Sequence, residues 1–106
     1  MFSFFSKNKV KSVDIDELDS LLGRINLIDI RETYEYKSGH LRTAKNIPME
    51  KIINESDKFL DKSKEYHIIC QSGGRSSRTT KILKKKGFNV VNVLGGTSGY
   101  RGQLKR

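Results

Sequence analysis

Cys70 is the side chain whose surroundings promise chemistry, because it is the only cysteine and leads straight into a Gly-rich turn and an arginine, Cys70-Gln71-Ser72-Gly73-Gly74-Arg75. A lone thiol is either core filler or a nucleophile. Free cysteine is among the most buried residue types, so its neighbours must decide between the two. The glycines let the loop take positive φ values, which turns consecutive amide N–H groups inward around one anionic atom. A helix expected from Arg75 to Lys86 has no acid in its first turn, so its positive end faces the thiol unopposed. Arg75 adds a guanidinium that can hold an incoming oxyanion through paired hydrogen bonds. A free thiol of pKa about 8.5 is roughly 3% ionised at pH 7, whereas a pKa of about 6.5 makes it mostly thiolate. No general base is then required.

The two histidines fit that conclusion. His67 lies three residues before Cys70 on one strand and points to the opposite face, while His40 sits in a distant loop. A Cys-His protease pair is therefore a poor fit. One cysteine excludes an internal disulfide and, with two separated histidines, makes a weak case for zinc, so neither a metal nor a cofactor is expected. Of the 21 Lys and Arg, residues 66–106 carry 9 with no acid, and residues 1–65 carry the other 12 together with all 12 Asp and Glu. The whole net charge of +9 thus surrounds Cys70 and draws in small anions. Lys81, Lys84, Lys85 and Lys86 also read as an ordinary solvated helix face, or as a dock for an acidic protein. No nucleic-acid motif and no interleaved aromatics accompany them.

The elements needed to hold the thiol are legible around it. A length of 106 residues predicts one compact domain over residues 10–106 after a flexible segment, residues 1–9. Phe2, Phe4 and Phe5 in that segment belong to a frayed end, pack on the domain, or meet a membrane or partner. No apolar run approaches the ~20 residues of a membrane span, and the opening is too short for a signal-peptide core, so a cytoplasmic protein is expected. Asp14 with Glu17 resembles a capping box for a helix carrying Ile15, Leu18, Leu21 and Leu22, which Gly23 stops. Ile25–Ile30, Ala44–Pro48, Tyr66–Cys70 and Val90–Leu94 read as short strands. Between them a short helix over Thr33–Lys37 and helical pieces through Met49, Ile52, Ile53, Phe59 and Leu60 are expected. Apolar strands alternating with helices predict an α/β fold with a parallel sheet covered on both sides. Cys70 stands at the carboxyl end of one such strand, where sites form in open parallel sheets.

These residues resemble the signatures of a single-domain rhodanese, of the sulfurtransferase superfamily, through roughly residues 10–104. The run from Asp29 and Arg31 through Glu35-Tyr36 and Gly39-His40 to Ala44-Lys45-Asn46-Ile47-Pro48 is similar to the first signature. Cys70 to Ser76 resembles the active-site loop. Leu94-Gly95-Gly96 followed by Tyr100 resembles the third, with Tyr100 where the family usually has Trp, a change expected to alter packing. The resemblance implies a three-layer α/β/α fold with a five-stranded parallel sheet, Cys70 as catalytic nucleophile, and Gln71, Ser72, Gly73, Gly74 and Arg75 as the substrate-binding loop. Asp29, Arg31, Glu35 and His40 match positions expected to hold loops around the site.

The implied activity is that of a thiosulfate sulfurtransferase. A donor such as thiosulfate leaves its sulfane sulfur on Cys70 as a persulfide, and a thiol or cyanide acceptor removes it. Phosphatase-type relatives have one more residue between Cys and Arg than the four found here. The alternatives are a persulfide carrier or interaction module that works only with a partner, and a sensor in which an exposed, acidic Cys70 is oxidised.

Overall fold

The computed structural model describes residues 9–106, so the segment expected to be flexible lies, except for Lys9, outside the described residues. Five strands, β1 (Lys11–Asp14), β2 (Asn26–Asp29), β3 (Lys45–Asn46), β4 (Glu65–Ile69) and β5 (Asn89–Leu94), pair in the order β1-β5-β4-β2-β3. Every pairing is parallel. The helices are α1 (Ile15–Leu18), α2 (Thr33–Ser38), α3 (Met49–Asn54), α4 (Ser56–Phe59) and α5 (Gly74–Lys85).

Successive strand residues face opposite ways, and both faces of this sheet are apolar. Ile28, Ile68 and Val90 meet Ile52, Leu60, Leu83 and Phe88 on one side. Leu27, Ile69 and Val93 meet Ile15, Leu18, Leu22 and Leu41 on the other. Helices therefore cover both faces, and the three-layer α/β/α architecture with a five-stranded parallel sheet is what the structure has.

Most elements lie within a residue or two of their expected places, and the departures have local causes. The Asp14 capping box forms, with the Asp16 amide donating to Asp14 Oδ1 at 3.0 Å and the Asp14 amide to Glu17 Oε1 at 3.3 Å. The helix it starts nevertheless gives way after Leu18 to a 3-10 turn over Asp19–Leu21. An acid at that end, with no basic residue in the last turn, opposes the helix dipole, and the Asp19 carboxylate accepts instead from Tyr100 Oη at 2.6 Å. The strand expected over Ala44–Pro48 shrinks to Lys45–Asn46. β1 was not visible as a strand, since its four residues contain one apolar side chain.

The topology supplies the site. β2 and β4 are neighbours, but β2 leads outward to β3 while β4 leads the other way to β5. The loops leaving these two strands turn apart at this switch in strand order, the place where open parallel sheets bind ligands.

Candidate active site

Cys70 is the first residue past β4, and its side chain continues the face of Tyr66 and Ile68. It is 1% exposed and belongs to the apolar cluster, which corrects the expectation of an exposed thiol. The strand's alternation points the sulfur under the loop rather than out of it. Yet Sγ is not surrounded by hydrocarbon alone. The amides of Gly73 and Ser76 donate to it at 3.1 and 3.3 Å, and Ser76 Oγ lies 3.4 Å away.

Gly73 makes this possible with φ +110°, a left-handed conformation that other residues adopt only with strain. Gly74 does not share it and opens α5, so one glycine, not two, turns the loop. The first amides of α5 have no partner within the helix, and the Ser76 amide spends its donor on sulfur. Burial pushes the Cys70 thiol up, but the Ser76 hydroxyl and the amides of Ser76, Gly73 and Ser72 together bring it below the ordinary thiol value. Ser76 Oγ is also 3.2 Å from the Gly73 carbonyl oxygen. While the thiol is protonated, S–H donates to Ser76 and Ser76 donates to Gly73; on ionisation the hydroxyl turns to the sulfur.

The underside of the loop is held by the turn after β5. The Thr97 amide donates to Cys70 O and the Ser98 amide to Gln71 O, each at 2.9 Å, and Ser98 Oγ donates to Gln71 O at 2.8 Å. Gly96, with φ +59° and ψ −168°, lets this turn pass against the loop, since a Cβ there would overlap the carbonyls of Cys70 and Gln71. Ser76, Thr97 and Ser98 were not singled out as site residues by sequence. Ser76 closes the run that resembles the active-site loop, and Gly95-Gly96 stands just before Thr97 and Ser98 in the third signature.

Just past β2, Arg31 is buried with Asp29, donating to its carboxylate from Nε at 3.0 and 3.1 Å and from Nη2 at 2.8 Å. Nη2 also reaches Gly39 O at 2.7 Å, and Nη1 donates to Gln71 Oε1 at 3.2 Å. Breaking such a buried pair by removing one partner costs about 3–5 kcal/mol, which fits a loop-holding role for Asp29 and Arg31. His40 Nδ1 is 2.9 Å from Tyr36 O, its ring stacks on Tyr36, and its backbone bridges to Lys105. His67 lies on the other face of the sheet, buried, with Nδ1 unpartnered and burial lowering its basicity. Neither imidazole is a hydrogen-bond partner of Cys70.

Arg75 differs from the expectation of a waiting guanidinium. Its Nη1 and Nη2 donate to Glu35 Oε1 and Oε2 at 2.8 and 3.0 Å, so both fork positions are taken by a carboxylate 40 residues away. Arg75 holds the Glu35 carboxyl down to about 2 from an ordinary 4.5. A carboxylate depressed in the folded state stabilises it above the unfolded pKa, and that contribution is lost as pH falls through the folded one. The urea-midpoint gap between wild type and Glu35→Gln is therefore expected to hold from pH 7 down to about 4.5 and to close toward pH 2. A gap of the same size at both ends of that range would contradict the pair's part in stability.

The arrangement is a buried sulfur beneath a loop, with fixed donors that favour its ionised form and no imidazole or carboxylate bonded to it. That suits a thiolate attacking a soft, small electrophile.

Comparison with known proteins agrees. The sequence profile of the family described as "Rhodanese-like domain" matches residues 14–103. YtwF of Bacillus subtilis (strain 168), provisionally named a sulfurtransferase, is 44% identical over 79 residues, 74% of this chain and 76% of that protein. YrkF of the same organism, provisionally named a sulfur carrier protein, is 33% identical over 96 residues, 90% of this chain but 48% of its own length. The crystal structure of SSP1007 from Staphylococcus saprophyticus superposes with a TM-score of 0.83 at 31% identity, covering 92% of this chain and all of that one (100%). A rhodanese-like domain protein from Staphylococcus aureus gives 0.79 at 33%, covering 91% and 97%.

Proposed function

Because this chain belongs to the rhodanese-like domain family and so to proteins of sulfur transfer, we propose that Cys70 is its nucleophile and carries sulfur as a persulfide. The observation that supports this best is the grip of the Gly73 and Ser76 amides on Sγ with no base at hand. The thiolate attacks the sulfane sulfur of thiosulfate or a similar small anionic donor. An S–S bond forms to Cys70, the donor's S–S bond breaks, and its electron pair leaves with sulfite. An acceptor thiolate or cyanide then attacks the outer sulfur and returns the Cys70 thiolate. Gln71 to Arg75 form the substrate loop, whose amides and helix end steady charge as it moves one atom outward. Residues 10–106 act as one domain, and a reducing compartment such as the cytoplasm keeps the lone thiol free.

A carrier that is loaded or emptied by a partner protein is the second reading. It is favoured by Arg75, whose guanidinium is already paired with Glu35 and less free to hold a departing oxyanion. Intact-mass measurement after thiosulfate treatment is expected to show one added sulfur atom on the wild-type protein. No added sulfur would sink the proposal. Fast steady-state turnover to cyanide points to a free-standing enzyme, and ready loading with slow turnover to a carrier.

A further inference from the structure

α5 packs on β4 and β5 and does not reach the edge strand β1 on the same face, and among the described residues the gap is a trough of about 940 Å³. Lys81, Lys84 and Lys85 of α5 form one wall and Lys9 the other end of the opposite side, with no acidic side chain in the lining. Among the described residues none of these four lysines is ion-paired. Lys86, by contrast, turns away and donates to Ile53 O at 2.6 Å, which makes it a structural residue of the helix end. The lysine run is thus divided by the fold into one tethered residue and three aimed at a common hollow.

The floor of the trough adds a second observation. Asn92 on β5 is 5% exposed, lines the trough, and has a side-chain oxygen without a hydrogen-bond partner. A buried amide oxygen left unpaired is costly, and a donor entering from the trough, such as a peptide N–H, would satisfy it. The trough also has a direction. Its upper end reaches Ser77 and Leu94, and the Ser77 amide donates to Gly73 O of the Cys70 loop at 3.0 Å. Leu94, 45% exposed, stands where the trough meets that loop.

The geometry points to this trough as the docking site for an acidic, extended segment of a partner protein that exchanges sulfur with Cys70, an inference that rests on the sulfur-transfer reading above. Carboxylates meet the lysine wall, a backbone N–H meets Asn92, and an apolar residue covers Leu94, so that the segment's end is delivered beside the Cys70 loop. An extended polypeptide can also run along β1, whose outer edge has no paired strand among the described residues. A nucleic acid would want exposed stacking faces, and the aromatic ring here, Phe88, is 4% exposed.

The test is fluorescence anisotropy with the full chain carrying Cys70→Ser, so that binding is read without sulfur chemistry. The probe is a fluorescein-labelled peptide of about six glutamates followed by Leu-Gly, with a glutamine counterpart. The acidic peptide should bind at low salt, weaken as salt rises, and lose about tenfold in affinity on Lys81→Gln/Lys84→Gln/Lys85→Gln. Lys45→Gln/Lys51→Gln/Lys64→Gln, the same charge change elsewhere, should cost less than about twofold. Equal losses in the two triple variants, or no preference over the glutamine peptide, would overturn the proposal. So would a uridine hexanucleotide that outcompetes the acidic peptide and loses its own binding in the trough variant. Thiosulfate loading of the Cys70 protein, read separately by mass, keeps the two failures apart. Absent loading defeats sulfur transfer and leaves the binding result standing, and absent trough binding leaves loading untouched.

Discussion

Replacing Cys70 with serine is expected to leave a folded protein that takes up no sulfur. The two side chains differ by one atom and little volume, and the space under the loop already offers what a hydroxyl needs. The amides of Gly73 and Ser76 can donate to the new oxygen, and Ser76 Oγ can accept its proton. With those bonds kept, the change avoids the penalty of an unsatisfied buried hydroxyl. The chemistry, however, disappears completely, because donors arranged to hold a thiolate cannot bring a serine hydroxyl to ionise near neutral pH. Intact mass after thiosulfate treatment should show no added sulfur on Cys70→Ser, and urea unfolding should give a midpoint close to wild type. Sulfur retained by the serine variant would mean that another group carries it.

Gly96→Ala should have a large effect on stability. The residue sits at φ +59° and ψ −168°, a region that glycine alone occupies readily, and forcing another residue into it costs about 1–3 kcal/mol. The added methyl would also overlap the Cys70 and Gln71 carbonyls, so the turn must lift away from the loop. Lifting breaks the Thr97 and Ser98 amide bonds to those carbonyls, each worth about 1 kcal/mol. A loss of about 3 kcal/mol or more is expected in urea unfolding, with sulfur uptake falling in the fraction that remains folded. Gly23→Ala is the matched control, since its φ of +88° carries strain but nothing lies near its Cβ. Equal losses at the two glycines would show that strain, not the close approach, is what Gly96 relieves.

How much of this was legible depends on whether neighbours in sequence or in space carry the information. The capping box at Asp14, the strands around Ile28 and Ile68, and the helix after Gly73 come from patterns spanning a few residues, and the structure has them. β1 could not be read because Lys11, Ser12, Val13 and Asp14 form a mostly exposed edge, stabilised by pairing with β5 rather than by burying an apolar face. The five-strand count followed from the rhodanese resemblance, not from periodicity. The burial of Cys70 could have been inferred, since Tyr66, Ile68 and Cys70 share a face by simple alternation. The pairing of Arg75 with Glu35 could not, because nothing local joins residues 40 positions apart. Gly73 and Gly74 look alike in sequence, and only the start of α5 separates the left-handed residue from the helical one.

The donors that make Cys70 acidic and the turn that supports its loop come from different stretches of chain, α5 on one side and residues 96–98 on the other. They come together only when β4 and β5 are paired. A chain that loses this pairing, during synthesis or under stress, keeps the α5 donors near Cys70 in sequence and loses the turn that holds the loop against them.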